Sequence, residues 1–319
     1  MTGTHMPQKK KTLALSVVAT IYRTGQYLEE FARRAVAAAE EAGFEADGVE
    51  IVLVNDGCPA GGLEAALAVR ENHPQVRVID LSRNFGHHKA MMTGLRESRG
   101  DLVFLLDSDL EEEPEWLLPF AAHMREHGCD AVYGVQESRK GGHFEQLSGG
   151  TFYRLFNMLA ASRITPNSVT ARLMTRNFVD GLTSHLESEP FLFALAAITG
   201  FTQCPMSVKK GDGSPSSYSL PRKVRLALNS ILSFSSRPLI YIAILGFLMT
   251  VGAFLIVLWL MFRLVFFGTA PEGWTSLIVS VWLVGGATIL CIGIVSLYLA
   301  KIYDEVKHRP YSIIKRRYE

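Results

Sequence analysis

Two long stretches without a charged residue, both near the C-terminus, constrain this chain more than any other feature. The first covers 24 residues, 239–262, and the second covers 27 residues, 274–300. At about 1.5 Å per residue, a helix of either length crosses a hydrocarbon core of roughly 30 Å. Buried core helices are the alternative, but such helices are rarely so long or so uniformly apolar. We therefore predict transmembrane helices over 238–268 and 274–300.

Basic residues flank this pair of helices on both outer sides. Segment 209–237 holds six Lys and Arg residues against one acid, the tail 301–319 holds six against three, and the connection 268–273 holds no basic residue. By the positive-inside rule, both termini are expected in the cytoplasm. The N-terminus shows no apolar segment typical of a signal peptide. We expect residues 1–11 to be disordered and 301–319 to form a cytoplasmic tail.

Composition excludes several classes of protein. The 32 basic and 31 acidic residues give a net charge of +1, which argues against a nucleic-acid-binding protein. Apolar residues make up 48% of the chain, too many for a disordered protein. The four cysteines lie at least about seventy residues apart, so we predict a reducing compartment, no disulfide framework and no structural zinc. They are Cys58, Cys129, Cys204 and Cys291.

The first two-thirds of the chain alternate between short apolar runs and helical patterns. This alternation is typical of an α/β domain with a mainly parallel sheet covered on both faces, and we assign it to residues 12–208. Functional side chains are expected at the carboxyl ends of the strands. The segment 192–201 is apolar but too short to span a membrane, and we expect it either in the core or docked on an interfacial helix before the first apolar stretch. Strands are predicted over 13–20, 49–56, 76–82, 101–109 and 128–135, with helices over 26–42, 61–72 and 88–98.

Asp107 and Asp109 end the predicted strand 101–109. Residues two apart in a strand point to the same side, so both carboxylates can reach one cation. Carboxylate oxygens suit Mg²⁺ or Mn²⁺ bridging a diphosphate. A solvated loop is the alternative reading, because an Asp-x-Asp pattern occurs often by chance. The acidic run 111–113 that follows is interpreted as the start of a helix.

Other predicted strand ends carry groups that suit a nucleotide. Asn55 and Asp56 can hydrogen-bond a base or a ribose, although Asn-Asp-Gly is also a common turn. Segment 83–89, RNFGHHK, places ionisable groups and a glycine just before a helix, which suits an anion. Its two histidines are adjacent and point apart, which disfavours a shared metal. Arg139 precedes a Gly-Gly pair and either binds an anion or belongs to a solvated loop.

Taken in order along the chain, these segments resemble the family 2 glycosyltransferases of GT-A fold. The resemblance is greatest to the branch that transfers a sugar to a polyprenyl phosphate, such as bactoprenol glucosyltransferases and dolichyl-phosphate mannose synthases. It covers nearly the whole chain, including the segment before the apolar pair. The matching segments are TIY 20–22, NDGC 55–58, RNFGHHKAMMTGL 83–95, DSDLEEEPE 107–115, ARLMTR 171–176, SSYSLPRK 216–223 and SFSSRPL 233–239.

The resemblance implies an inverting transfer from a nucleotide-sugar, with UDP-glucose favoured, to undecaprenyl phosphate at the bacterial cytoplasmic membrane. The product would serve cell-envelope glycan modification. The alternative donors are GDP-mannose and UDP-linked N-acetylhexosamine, galactose or uronic acid. The resemblance also makes a homotetramer one of the expected oligomeric states of this chain. Segment 209–237 would form a mobile loop and an interfacial helix.

The same resemblance assigns roles to individual residues. Asp109 would hold a Mg²⁺ or Mn²⁺ ion, with Asp107 helping through water or the ribose. Arg139, and after it Arg172, would bind the acceptor phosphate, and an ion-pair role is the alternative for Arg172. The residues expected to bind the donor are Thr20, Tyr22, Asn55, Asp56, Arg83, Gly86, Lys89, Asp107, Lys209, Lys210, Ser216 and Tyr218.

Three residues of this chain depart from the family's usual pattern. Thr20 stands for a usual proline, Asn55 for a usual aspartate, and Thr170 for an aspartate that has been a candidate base. An ionised lipid phosphate needs no base before it attacks, so the enzyme can tolerate the absence of an aspartate at position 170.

Two other functions are alternatives to this one. A processive polysaccharide synthase would add a Gln-x-x-Arg-Trp segment, which this chain lacks. A non-catalytic membrane scaffold would not need the two aspartates.

Overall fold

The computed structural model describes residues 14–136, 165–209, 237–267 and 273–319. These residues fall into two compact units. One contains 14–136, 165–209 and 310–319, and the other contains 237–267 and 273–309.

The first unit is built on an eight-stranded sheet, in the order β7-β5-β6-β4-β1-β2-β3-β8. β1 to β4 run parallel to one another, β5 runs parallel to β7, and β6 and β8 run antiparallel to their neighbours. The predicted α/β class with a mainly parallel sheet is confirmed. The strands are β1 (Leu15–Ile21), β2 (Val49–Asn55), β3 (Val76–Leu81), β4 (Leu102–Asp107), β5 (Ala131–Gln136), β6 (Ser168–Thr175), β7 (Gln203–Val208) and β8 (Ile314–Tyr318).

Apolar, β-branched runs explain why the central strands form where they do. Every residue of β1, β2 and β3 is buried, as expected for strands covered on both faces. Helix α1 turns a buried face of Leu, Phe and Ala residues toward the core. The segment around 192–201 contains a short helix with four buried residues, as predicted. The helices of this unit are α1 (Leu28–Glu41), α2 (Gly62–Asn72), α3 (His87–Glu97), α4 (Leu117–His127), α5 (Arg176–Thr183) and α6 (Leu192–Ile198).

The C-terminal residues form part of this sheet, which the sequence analysis did not anticipate. Residues 301–319 were expected to be a tail, but β8 pairs antiparallel with β3 along the sheet margin. Thr93 on α3 and Ser312 share a hydrogen bond of 2.6 Å just before this strand. The sequence of β8, IKRRY, is mostly charged because three of its five residues are exposed at the sheet margin. Such a pattern does not identify a strand.

The prediction that the chain has no disulfide framework was wrong for two of the four cysteines. Cys129 and Cys204 form a disulfide with a Cα–Cα distance of 6.1 Å. Cys129 lies just before β5 and Cys204 lies in β7, and these strands are neighbours. The sequence separation of 75 residues hid this proximity. Cys58 and Cys291 are free thiols.

The second unit contains the two long apolar helices, α7 (Arg237–Phe267) and α8 (Trp274–Val306). Both are long and apolar enough to cross a membrane. Their most apolar windows are Leu239–Ile256, of which 0% is buried, and Val284–Val306, of which 6% is buried. The predicted spans largely coincide with these helices. α8 continues beyond the predicted end at residue 300, because the polar residues that follow still fit a helix.

Candidate active site

The carboxyl edge of the sheet, which we define as the side where β1 to β4 end, gathers several of the predicted site residues. Strand register places Thr20 directly beside Asp107 on the neighbouring strand, and Ile21 beside Asn55. The hydroxyl of the buried Ser108 donates a 2.7 Å hydrogen bond to the carbonyl oxygen of Thr20. The start of the aspartate pair is thereby fixed to the end of β1.

His87, the first residue of α3, links two of these strand ends. Its Nε2 lies 3.3 Å from Oδ1 of Asp107, and its Nδ1 lies 3.1 Å from Oγ1 of Thr20. Burial lowers the pKa of His87, but the hydrogen bond and charge of Asp107, with the charges of Glu112 and Asp56, outweigh burial and raise the pKa overall. This contact was not predicted from the sequence, since it depends on α3 packing beside β1.

Asp109 lies in the turn after β4. Its Oδ1 accepts a hydrogen bond of 3.0 Å from the backbone N–H of Glu111, and Leu110 between them has a φ of +63°. Asp107 and Asp109 are both partly exposed. Two partly exposed carboxylates at a strand end are hard oxygen donors, and this donor set fits Mg²⁺ or Mn²⁺.

Glu112 is a residue whose importance the sequence analysis missed. The acidic run 111–113 was interpreted as a charged helix start, yet Glu112 is fully buried. Its Oε2 accepts a hydrogen bond of 3.3 Å from the N–H of Asp107, and its Oε1 accepts one of 2.9 Å from the N–H of Thr170. Glu112 therefore ties the end of β4 to β6. The glutamates on either side of it are only partly buried, and nothing in the sequence distinguishes Glu112 from them.

Asn55 and Asp56 are both buried and hold neighbouring backbone in place. Asn55 donates to Oδ1 of Asp80 at 2.8 Å and accepts from the N–H of Cys58 at 3.2 Å. The Asp56 carboxylate accepts hydrogen bonds from the N–H groups of Phe85 and Gly86, at 2.7 and 3.0 Å. Burial raises the pKa of Asp56, and these two backbone hydrogen bonds oppose the rise.

The loop that Asp56 holds depends on two glycines. Gly57 has a φ of +59°, and a Cβ there would collide with the backbone of Arg83 and Asn84. Gly86 has a φ of +104° and immediately precedes α3. Because L-residues with a side chain rarely adopt such angles, these positions favour glycine.

The remaining described donor-binding candidates lie around this edge with different exposure. Tyr22 is 44% exposed, and the guanidinium of Arg23 lies 5.5 Å from the centroid of its ring. Arg83 is exposed and stacks on Phe85 at 4.1 Å. Lys89 pairs with Glu189 at 2.8 Å, whereas Lys209 is exposed just after β7. A cleft of about 550 Å³ opens between the β1–α1 and β2–α2 connections, lined by Arg23, Gly25, Gln26, Ala60, Gly61 and Ala65.

Arg172 is a buried cation on β6. Its guanidinium lies 4.9 Å from the ring centroid of Phe193 and 5.9 Å from that of Tyr133, and its Nε is 3.4 Å from the carbonyl oxygen of Thr170. Among the described residues, no carboxylate forms a salt bridge with Arg172. Burial lowers the pKa of Arg172 to about 10, although the charge of Glu112 opposes this change.

His88, the next residue on α3, packs against two aromatic rings. Its ring meets Phe191 and Phe193 edge-on, with centroids 5.0 and 5.8 Å away. Burial lowers the pKa of His88 to about 3, and the charges of Asp107 and Arg172 act on the same ring in opposite directions. The imidazole is therefore neutral at physiological pH.

Four further predicted site residues lie outside the described part of the chain: Arg139, Lys210, Ser216 and Tyr218.

A mainly parallel α/β sheet with a carboxylate pair at its carboxyl edge is typical of enzymes that bind nucleotides at strand ends. The model of one such family, "Glycosyl transferase family 2", matches residues 16–180. The chain belongs to this family and is a glycosyltransferase.

Named relatives agree with this assignment. A Mycobacterium tuberculosis protein named as a glycosyltransferase is 43% identical over 306 residues, covering 96% of this chain and 89% of the relative. The prophage bactoprenol glucosyl transferase homolog of Escherichia coli K12 is 30% identical over 274 residues, covering 84% and 88%. Among solved structures, the mannosyltransferase PcManGT from Pyrobaculum calidifontis, in complex with GDP-Man and Mn²⁺, is 17% identical with a TM-score of 0.48, covering 71% of this chain and 67% of that one.

Proposed function

We propose that this enzyme transfers a sugar, glucose in the first instance, from a nucleotide-sugar to a polyprenyl phosphate such as undecaprenyl phosphate. The observation that carries the proposal is a carboxylate pair at the strand ends of a chain that also has two helices able to cross a membrane. A nucleotide-sugar donor accounts for the carboxylates, and an acceptor with a long apolar tail accounts for the helices. Relatives named bactoprenol glucosyl transferase, about 30% identical over most of the chain, support this acceptor.

Asp109 and Asp107 are the residues that would hold a divalent ion, Mg²⁺ or Mn²⁺. When bound, such an ion neutralises charge on the diphosphate leaving group. His87 and Ser108 hold the first carboxylate and the turn in place through their hydrogen bonds to β1 residues. Asp56 holds the loop 83–86, and Tyr22 offers an exposed aromatic face on which a base can stack.

The acceptor phosphate needs positive charge rather than a base, because it is already ionised at neutral pH. Arg172 supplies a buried guanidinium on the same face of the sheet as Asp107, because Arg172 pairs with Leu105, which lies two residues before Asp107. A guanidinium fork matches the geometry of a phosphate, and a desolvated one attracts it more strongly. Attack by a phosphate oxygen on the anomeric carbon, opposite the leaving diphosphate, would invert the configuration.

The position of β8 supports a hairpin with both flanks on one side of the membrane. β8 follows α8 in the chain and pairs with β3, so the chain returns to the sheet after the two apolar helices. The excess of basic residues on both flanks favours the cytoplasmic side for the sheet. The enzyme would then act at the cytoplasmic face of the bacterial inner membrane.

A donor panel tests the proposal. Purified full-length protein in detergent receives undecaprenyl phosphate, Mg²⁺ or Mn²⁺, and each of UDP-glucose, GDP-mannose, UDP-galactose, UDP-N-acetylhexosamine and a UDP-uronic acid in turn. Asp109→Ala is the inactive variant, and Asp180→Ala, which removes a carboxylate that is 65% exposed, is the matched control. We expect glycolipid from one donor, with the control active and Asp109→Ala inactive.

The other outcomes separate the rival readings. Glycolipid from a donor other than UDP-glucose would keep the reaction and correct the sugar. Turnover only with a soluble acceptor would overturn the polyprenyl phosphate. Nucleotide binding without turnover would indicate a donor outside the panel, whereas the absence of both turnover and nucleotide binding would favour the non-catalytic scaffold.

A further inference from the structure

We propose that the last turn of α4 is a binding site for a borderline transition-metal ion such as Zn²⁺, formed by His123, Glu126 and His127. The site does not depend on the proposed sugar transfer. The three residues are spaced i, i+3 and i+4, so they project from one face of the helix. One potential ligand atom from each lies within 4.8 Å of the others, and the two imidazole centroids are 4.1 Å apart.

The hydrogen bond of His127 prepares this residue for coordination. Its Nδ1 lies 3.1 Å from the backbone carbonyl oxygen of His123. A carbonyl oxygen can only accept, so Nδ1 carries the proton, and Nε2 of the neutral ring presents its lone pair. Metal-bound histidines characteristically donate their other ring nitrogen to such an acceptor, which fixes the tautomer and the ring orientation. This contact is independent of the clustering of the three side chains.

The ligand set selects the class of metal. Two imidazole nitrogens and one carboxylate oxygen suit Zn²⁺ and its neighbours, whereas Mg²⁺ prefers oxygen ligands alone. Three protein ligands leave a coordination position for water. The side chains of this turn are half-buried or exposed, so an ion reaches them from solvent.

The position of the turn separates this site from the aspartate pair. α4 begins after the carboxyl edge of the sheet and ends shortly before β5, which runs parallel to β4. Its last turn therefore lies toward the opposite edge, where β1 to β4 begin. A metal at this turn would contact neither Asp107 nor Asp109.

Zinc titration of the full-length protein in detergent tests the site. Excess Mg²⁺ is present throughout to occupy all-oxygen sites, and binding is followed by isothermal titration calorimetry. We expect one zinc ion per chain. Loss of an outer-shell partner typically weakens a site about 10- to 100-fold, so His123→Ala and His127→Ala should each weaken binding by at least that factor. The double variant should lose the binding event, and His185→Ala is the matched control.

Alanine favours helices and the replaced side chains are not buried, so the variants should keep the unfolding midpoint of the metal-free protein. A second measurement uses Co²⁺ as the probe. Visible absorption bands of a nitrogen-ligated Co²⁺ should appear with the native chain and disappear with the double variant. An unchanged zinc isotherm in the double variant, or no binding by the native chain, would overturn the proposal.

Discussion

The two edges of the sheet both carry charged side chains, but the charges are buried and paired at one edge and partly exposed at the other. At the amino edge, where β1 to β4 begin, Glu50 is 3% exposed and both of its carboxylate oxygens are used internally. Oε1 accepts from the Ser16 hydroxyl and the Arg99 N–H, each at 2.6 Å, and Oε2 accepts from Arg77 at 2.7 Å. Glu319 adds a further contact with Arg77 from β8's end.

At the carboxyl edge, the carboxylates of Asp107 and Asp109 remain partly exposed, and the side chain of Asp107 is 21% exposed. Their local contacts fix the direction of each side chain without enclosing it. Buried charge alone therefore does not mark a functional site. A closed network indicates a structural role, whereas fixed but accessible carboxylates can still bind a cation.

Breaking the closed network should give the largest effect on stability. Glu50→Ala leaves the Arg77 guanidinium buried without its main carboxylate partner, and such a loss costs about 3–5 kcal/mol of unfolding free energy. Urea unfolding of the native protein and the variant measures the difference. Glu71→Ala, at an exposed position on α2, is the control and should change stability by less than about 0.5 kcal/mol. Equal stability of the two variants would show that the amino edge is not the structural one.

At Asp109 we expect a large loss of activity with little change in stability. Asp109→Asn should lower the rate of sugar transfer about 100- to 1000-fold, a loss of about 3–4 kcal/mol in transition-state stabilisation, because the amide is a poor ligand for a divalent ion. Its unfolding free energy should stay within about 0.5 kcal/mol of the native value. Initial rates at saturating Mn²⁺ and urea unfolding check the two halves. If Asp109→Asn lost stability but kept its rate, Asp109 would have a structural role and would not hold the metal ion.

Asp56 differs from Asp107 and Asp109, because it lies at the same carboxyl edge but its carboxylate is buried. Asp56→Asn can satisfy only one of the N–H groups of Phe85 and Gly86 with its oxygen, so we expect a loss of about 1 kcal/mol. Removing a buried charge partly offsets the lost hydrogen bond. Amide hydrogen exchange should accelerate at Phe85 and Gly86. Unchanged protection of both amides would show that Asp56 does not hold this loop.

The smallest effect is expected where β8 meets α3. Glu97 accepts two hydrogen bonds from Arg317, at 2.7 and 2.8 Å, and these lower the pKa of Glu97 in the folded protein. The resulting stability is present above the unfolded pKa of about 4.5 and is lost as the pH falls through the lowered value. Because the pair is partly exposed, Glu97→Gln should cost no more than about 1 kcal/mol at pH 7.

Unfolding curves at several pH values test this dependence. The difference between the native protein and Glu97→Gln should shrink below pH 4.5 and be constant from pH 6 to 8. Arg317→Gln should cost a similar amount, and the double variant little more than either. Additive losses would mean that the two side chains do not interact.

Much of the fold followed from local pattern. The runs that became β1, β2 and β3 are mostly apolar because both faces of those strands are covered, and this pattern depends on neither partner nor register. The polar residues that interrupt the apolar runs mark the strand ends, so Asp107 and Asp56 were found at the sheet edge. Their contacts were not predicted, because Asp56 is held by a loop almost thirty residues later in the chain.

The α/β class, the two apolar helices and the carboxylate pair at the end of β4 could therefore be predicted from the sequence. Each depends on residues close together in the chain, where periodicity and uninterrupted hydrophobicity carry the information. Four features became visible only in three dimensions: Glu112 is buried, His87 joins Thr20 to Asp107, Cys129 meets Cys204, and β8 completes the sheet. These contacts join residues brought together by packing between elements, and packing leaves no local trace in the composition or spacing of either partner.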